Sequence, residues 1–240
     1  MNPFKARLTA IVFSASALFL SSCLNEEYTG QTAYGDAFIK SVQLNDSTVG
    51  YNLQLYAYSW SEMKSVTVYS ENDSTEFQLD TIDYKYTFAY RPEVTTYEPQ
   101  PPEADKYYFS VTFDNDEKAV VTDYLNTNVI VPPQIKKLEW NNDNQTIQLE
   151  WHPVTKAQLY SVALIDQSGK MVYETELLEP TINTYHINQF SYGWYTSDKP
   201  TETTTFQIVI SAFIFEPIAS TFDLQCMAVN NLNSIEWKIE

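Results

Sequence analysis

Two histidines, two cysteines and 31 carboxylates are the side chains through which this chain of 240 residues could do acid–base, nucleophilic or metal chemistry. A Ser-His-Asp arrangement would have to use His152 or His186. His152 sits between Trp151 and Pro153, and His186 alternates with Tyr185 and Ile187, so both read as structural positions. Neither G-x-S-x-G nor H-E-x-x-H occurs. Ser168-Gly169-Lys170 has the ending of a phosphate loop without its upstream glycine, and reads as a hairpin turn. No catalytic residue and no cofactor is expected.

The carboxylates are next. Asp114, Asp116 and Glu117, the pair Glu71 and Asp73, and Asp143 among asparagines could offer oxygens to calcium. None has the glycine and terminal glutamate of the twelve-residue calcium loop, and each lies where a hairpin needs Asn or Asp for its turn. No metal ligand is assigned. The aromatic side chains carry more. Tyr56, Tyr58 and Trp60 alternate with Leu53, Leu55 and Ala57, so they point to the opposite face. Phe190, Tyr192, Trp194 and Tyr195 fall within the long stretch 176–203. Rings held outward would stack on the apolar faces of sugars or anchor a protein interface; rings turned inward would close the core.

Charge narrows the partners. The chain has 14 basic and 31 acidic residues and a net charge of −17, which opposes nucleic acid phosphates. With 44% hydrophobic and 15% aromatic residues it has enough apolar material for packed cores. Five glycines leave most turns to Asn, Asp and Pro.

The elements that position these residues are strands. From about Phe38 the pattern has period two: Tyr51, Leu53, Leu55 and Ala57; Val66 and Val68; Phe77 and Leu79; and an aromatic row of Tyr84, Tyr86, Phe88 and Tyr90. Tyr107 to Phe113 alternates and pairs with Ala119 to Leu125 across an Asp114–Glu117 turn. Val129 to Pro133, with two prolines, predicts a short stiff linker. Strands resume at Ile135–Trp140, Ile147–Trp151, Tyr160–Leu164 and Met171–Tyr173. Phe206, Ile208 and Ile210 face inward opposite Val209, Phe213 and Phe215, an apolar strand able to dock on a neighbouring protein.

Ahead of all this, Lys5 and Arg7 precede an apolar run from Leu8 to Leu20, then Ser21-Ser22-Cys23, the order of a secretory signal. At roughly 1.5 Å per residue a helix of that run covers about 20 Å, short of a bilayer core of roughly 30 Å. Leu20-Ser21-Ser22-Cys23 resembles the lipobox of bacterial lipoproteins. The resemblance implies removal of residues 1–22, lipidation of Cys23, a tether over 23–34, and membrane attachment through the acyl chains. Loss of Lys5 and Arg7 takes the net charge from −17 to −19. Leu24, and Glu26-Glu27, are similar to the residues that follow the cysteine in outer-membrane and surface-exposed lipoproteins. The expected location is the outer membrane, with cell-surface exposure as an extension. Cys226 is then unpaired and reads as a buried small hydrophobe.

Leu149-Glu150-Trp151-His152-Pro153 resembles the second strand of a fibronectin type III domain. Phe222, Leu224, Cys226 and Ala228 resemble its penultimate strand, with Ser234–Glu240 as the last and Ile235, Trp237 and Ile239 inward. Phe222 stands where that family has a tyrosine, and 176–203 exceeds the family's loop. Residues 35–131 resemble an immunoglobulin-like sandwich. The expected architecture is all-β: two tandem antiparallel β-sandwiches, 35–131 immunoglobulin-like and 132–240 fibronectin type III-like. The expected function is a non-enzymatic, lipid-anchored lipoprotein presenting a binding or scaffolding surface. The alternatives are a glycan-binding accessory of a surface polysaccharide-uptake system, similar to starch-utilisation lipoproteins, and a structural subunit docking on another envelope protein.

Overall fold

The computed structural model describes residues 30–195, 199–217 and 223–239. The leader 1–22, Cys23 and Phe222 lie outside the described residues. Residues 33–240 form one compact unit of strands. In the first half these are β1 (Ala33–Asn45), β2 (Thr48–Ser59), β3 (Met63–Ser70), β4 (Glu76–Gln78), β5 (Asp80–Asp83), β6 (Thr87–Tyr90), β7 (Asp105–Phe113) and β8 (Lys118–Leu125). The second half has β9 (Ile135–Asn141), β10 (Thr146–Trp151), β11 (Leu159–Ile165), β12 (Met171–Glu174), β13 (Thr184–Ile187), β14 (Thr204–Phe215) and β15 (Leu224–Trp237). The fold is all-β.

One eight-stranded sheet runs β12-β11-β14-β15-β1-β2-β6-β5. Its inner face carries a three-stranded sheet, β13-β10-β9, over the second half and a four-stranded sheet, β4-β3-β7-β8, over the first. Period-two alternation makes that inner face: Ala37 and Ile39 of β1, Leu55 and Ala57 of β2, Ile208 and Ile210 of β14, and Cys226 and Ala228 of β15 are all fully buried. Trp151 of β10 is buried in the second half with its ring 5.5 Å from that of Tyr160, whose hydroxyl accepts from the Val154 N–H at 2.7 Å. In the first half, Gly35 makes room for the core ring of Phe109: a Cβ there would lie 2.5 Å from Phe109 Cγ.

The two halves are not strung on a spacer. β15 pairs in parallel with β1, Ile39 beside Cys226 and Val42 beside Val229, so the backbone ladder crosses from one half to the other. Residues 126–134 lie strapped over this seam instead of standing free. Gln225 Nε2 donates to the Asn126 carbonyl, Ser41 Oγ to the Ile130 carbonyl and Asn230 Nδ2 to the Pro133 carbonyl, each at 2.8 Å. The segment's carbonyls, lacking a ladder, are met by side chains from both halves.

Three further expectations are corrected. Residues 234–240 are not a separate last strand: β15 runs unbroken from Leu224 to Trp237, Ile235 and Trp237 are buried, and Ile239 is exposed. The penultimate strand is therefore β14, and the strand read there from Leu224, Cys226 and Ala228 is the last one. The aromatic row starts late, because Tyr84 takes φ 46° in a turn and stands exposed, leaving Phe88 and Tyr90 on a short β6. The tether gives way to β1 at Ala33, inside the span 23–34.

Candidate functional site: an aromatic groove on the outer sheet face

β1 and β2 are antiparallel with Tyr34 opposite Tyr58 and Asp36 opposite Tyr56. Because the buried residues of both strands take the odd positions here, the even ones emerge together on the outer face. Tyr34, Gly35, Asp36, Tyr56, Tyr58 and Trp60 line a groove of about 450 Å³ with Asp223. The Tyr34 and Tyr58 rings stack at 6.4 Å and 26°. Trp60 meets Tyr58 edge-on at 5.1 Å and 78°, and is 79% exposed, held just beyond the end of β2. Its turn is fixed by Ser59 Oγ, which accepts from the Ser61 N–H at 3.0 Å. An indole left this open to water at the end of a ring ladder is an unsatisfied apolar surface.

The groove floor is acidic. Asp36 Oδ2 accepts from the Leu224 N–H at 3.2 Å, while Oδ1 is buried without a partner among the described residues. Burial above all pushes the Asp36 carboxyl up to about 8; the Leu224 N–H pulls it back, and Asp123, Asp223 and Glu216 add repulsion. Glu216 is pushed up to about 7, chiefly by burial, and Asp123 is raised for the same reason, although it accepts from the Ala37 N–H at 2.7 Å. At neutral pH Asp36 is therefore largely uncharged.

The second aromatic group divides. Trp194 is half-buried: its ring lies 5.0 Å from Tyr173, 5.5 Å from Trp237 and 6.1 Å from Phe206, and Nε1 donates to the Asn188 carbonyl at 2.9 Å. The segment is pinned to β12 by Glu174 N–H to Gly193 and Tyr195 N–H to Val172, and Gly193, at φ +119°, leaves no room for a Cβ beside the Glu174 carbonyl. Phe190 and Tyr192 stay 82% and 80% exposed and share a second hollow of about 520 Å³ with Tyr195, Glu176 and Lys199. So Tyr56, Tyr58 and Trp60 are brought together, Phe190, Tyr192 and Tyr195 form a separate patch, and Trp194 serves the core.

Sequence reading missed Tyr34, Asp36 and Asp223. The first two share the period-two pattern of β1, but that signal was taken up only from Phe38, and Asp223 depends on the β1–β15 pairing.

His152, just after β10, and His186, on β13, are both exposed, and neither imidazole has a hydrogen-bond partner among the described residues. Several of the turn carboxylates meet partners from the protein itself: Asp73 Oδ1 accepts from the Thr75 N–H at 2.9 Å, Asp114 meets the Lys85 ammonium at 2.5 Å and Asp116 that of Lys64 at 2.7 Å.

No family model and no curated protein matches the chain. Among solved structures it is similar to a segment of two fibronectin type III domains from chicken tenascin, at 12% identity over 86% of this chain and 100% of that one, with a TM-score of 0.29. It is also similar to fibronectin(III)-like modules of Clostridium thermocellum CbhA, at 14% identity over 87% and 94%, TM-score 0.30. A third is a chain of a cytokine receptor complex, at 10% identity over 85% and 96%, TM-score 0.31.

Proposed function

We propose that this chain is a non-enzymatic lipoprotein, anchored through Cys23 to the outer membrane and facing the cell exterior, whose outer sheet face binds saccharide. The observation that carries the reading is the ladder of Tyr34, Tyr58 and Trp60, with Tyr56 beside it, along one open groove. Flat rings set in line match the apolar faces of successive sugar units, and the groove's carboxyls can exchange hydrogen bonds with hydroxyls. The leader and the lipobox-like Leu20-Ser21-Ser22-Cys23 support the anchor.

The test is a glycan array probed with mature protein from residue 24, beside the Trp60→Ala and Tyr58→Ala variants. Retention by wild type that both variants lose supports the reading; no retention, or retention that neither variant alters, overturns it. A second reading, a scaffold subunit for an envelope protein, is favoured by exposed Phe190 and Tyr192, adjacent rings of the kind that anchor interfaces. Its mark would be a stoichiometric partner lost on Phe190→Ala with Tyr192→Ala, with no response to sugar. β14 suits that role less than its sequence promised, since both its edges are already paired, to β11 and β15.

A further inference from the structure

The outer face continues past the aromatic groove. Along β1 the even positions run Tyr34, Asp36, Phe38, Lys40, and along β2, in register, Tyr58, Tyr56, Gln54, Asn52. Tyr56 lines the aromatic groove on one side and, on the other, a cavity of about 400 Å³ whose wall includes Lys40, Gln54, Arg91, Glu93 and Tyr97. Arg91 enters directly after β6, whose Ala89 pairs with Tyr56. Two cations thus share one hollow, in a chain with only 14 basic residues against 31 acidic.

Among the described residues Lys40 and Arg91 make no ion pair or side-chain hydrogen bond, and Glu93 pairs with neither. Elsewhere some lysines do find a carboxylate: Lys64 reaches Asp116 at 2.7 Å, Lys85 reaches Asp114 and Lys136 reaches Glu150, both at 2.5 Å. Burial, and then the charge of Arg91, hold the Lys40 ammonium below its ordinary range. Lys40 is half-buried and Arg91 exposed at the mouth of the same hollow; like charges side by side cost free energy, and an oxyanion between them would recover it, the planar guanidinium supplying paired donors and the ammonium a point charge. At physiological salt the Debye length is about 8 Å, so the distant negative surface is screened at this hollow.

We propose that Lys40 and Arg91 form a subsite for an oxyanion, a carboxylate or sulfate group carried by the saccharide that lies along the aromatic groove. This rests on the saccharide reading above and names the class: an acidic oligosaccharide. At about 3.4 Å per residue, the six steps from Tyr34 to Lys40 span about 20 Å, so one extended chain passes from the rings, over Tyr56, to the cations. Asp36 lies between, and its protonated state at neutral pH spares the chain a charge clash in mid-groove.

The experiment is calorimetric titration of the mature protein with neutral, uronate-containing and sulfated oligosaccharides of matched length. Beside it, nuclear magnetic resonance follows the Arg91 Nε–H during addition of glucuronate or inorganic sulfate alone. We expect acidic ligands to bind at least about tenfold more tightly than the neutral one, and Lys40→Met with Arg91→Gln to remove that difference while leaving the neutral affinity unchanged. Whichever of uronate and sulfate gains more identifies the source of the oxyanion. Equal affinity for neutral and acidic ligands, or a preference that survives the double variant, overturns the subsite and leaves the ring platform standing. Movement of the Arg91 resonance by the small anions, without oligosaccharide binding that depends on Trp60, sinks the saccharide reading and keeps the anion site. No movement and no preference sinks the subsite outright.

Discussion

Asn230 donates from Nδ2 to the carbonyl oxygen of Pro133 at 2.8 Å, tying the last strand of the second half to the segment that joins the halves. Asn230 is 3% exposed, so its amide has no water to fall back on. Asn230→Ala leaves the Pro133 carbonyl buried without its donor and should cost about 1–3 kcal/mol. Because the β1–β15 ladder and the strap join the halves, denaturant unfolding of residues 33–240 should be one transition rather than two. Separate transitions by fluorescence and circular dichroism would count against a shared sheet.

That relationship marks the boundary of what the sequence could reveal. Alternation named most strands, since Leu53, Leu55 and Ala57 or Tyr107, Phe109 and Val111 advertise one buried face. It could not say that Ile39 lies beside Cys226, because pairing between strands nearly two hundred residues apart leaves no local pattern. The site splits the same way. Tyr56, Tyr58 and Trp60 were legible from parity alone, whereas Tyr34 joins them only through register, and Trp194 looked like its neighbours Tyr192 and Tyr195 until the Tyr173, Phe206 and Trp237 rings closed around it.

Gly35 lies in β1 against the fully buried ring of Phe109. A methyl group would overlap three ring carbons at 2.5 to 2.9 Å, and a core ring inside a sheet sandwich has nowhere to retreat. Gly35→Ala should destabilise by about 1–3 kcal/mol through overpacking, despite alanine's better backbone entropy. Phe109→Leu in the same chain should return part of the loss, which a chemical denaturation series would show.

Asp36, Asp123 and Glu216, each raised chiefly by burial, give stability a definite pH slope. Asp36 ionises near 3.8 when unfolded and near 8 when folded, so between those values the folded state holds the extra proton. Its contribution is complete below about pH 4 and is lost as pH rises toward 8; Glu216, raised to about 7, acts in the same sense. Melting temperature should therefore fall from pH 6 to pH 9. Asp36→Asn keeps an oxygen for the Leu224 N–H, removes the charge, and should recover on the order of 2 kcal/mol at pH 9 after allowance for solvent screening. An unchanged slope in that variant would remove Asp36 from the explanation.

Trp60 and Trp194 separate binding from folding within one residue type. Trp60 is 79% exposed at the end of the Tyr34–Tyr58 ladder and contributes little to the core. Trp60→Ala should change stability by no more than about 0.5 kcal/mol, while removing the outermost stacking surface of the groove. Trp194 is half-buried against Tyr173, Phe206 and Trp237 and holds the 188–195 segment by its indole N–H. Trp194→Ala opens a cavity among three rings and strands the Asn188 carbonyl, at a cost of about 3 kcal/mol. Thermal melts and saccharide titrations on both variants should give opposite outcomes: binding lost with stability kept for Trp60, stability lost with binding kept below the melting point for Trp194. If Trp194→Ala abolished binding while still folded, the functional surface would lie on the 190–195 segment rather than on the β1–β2 groove.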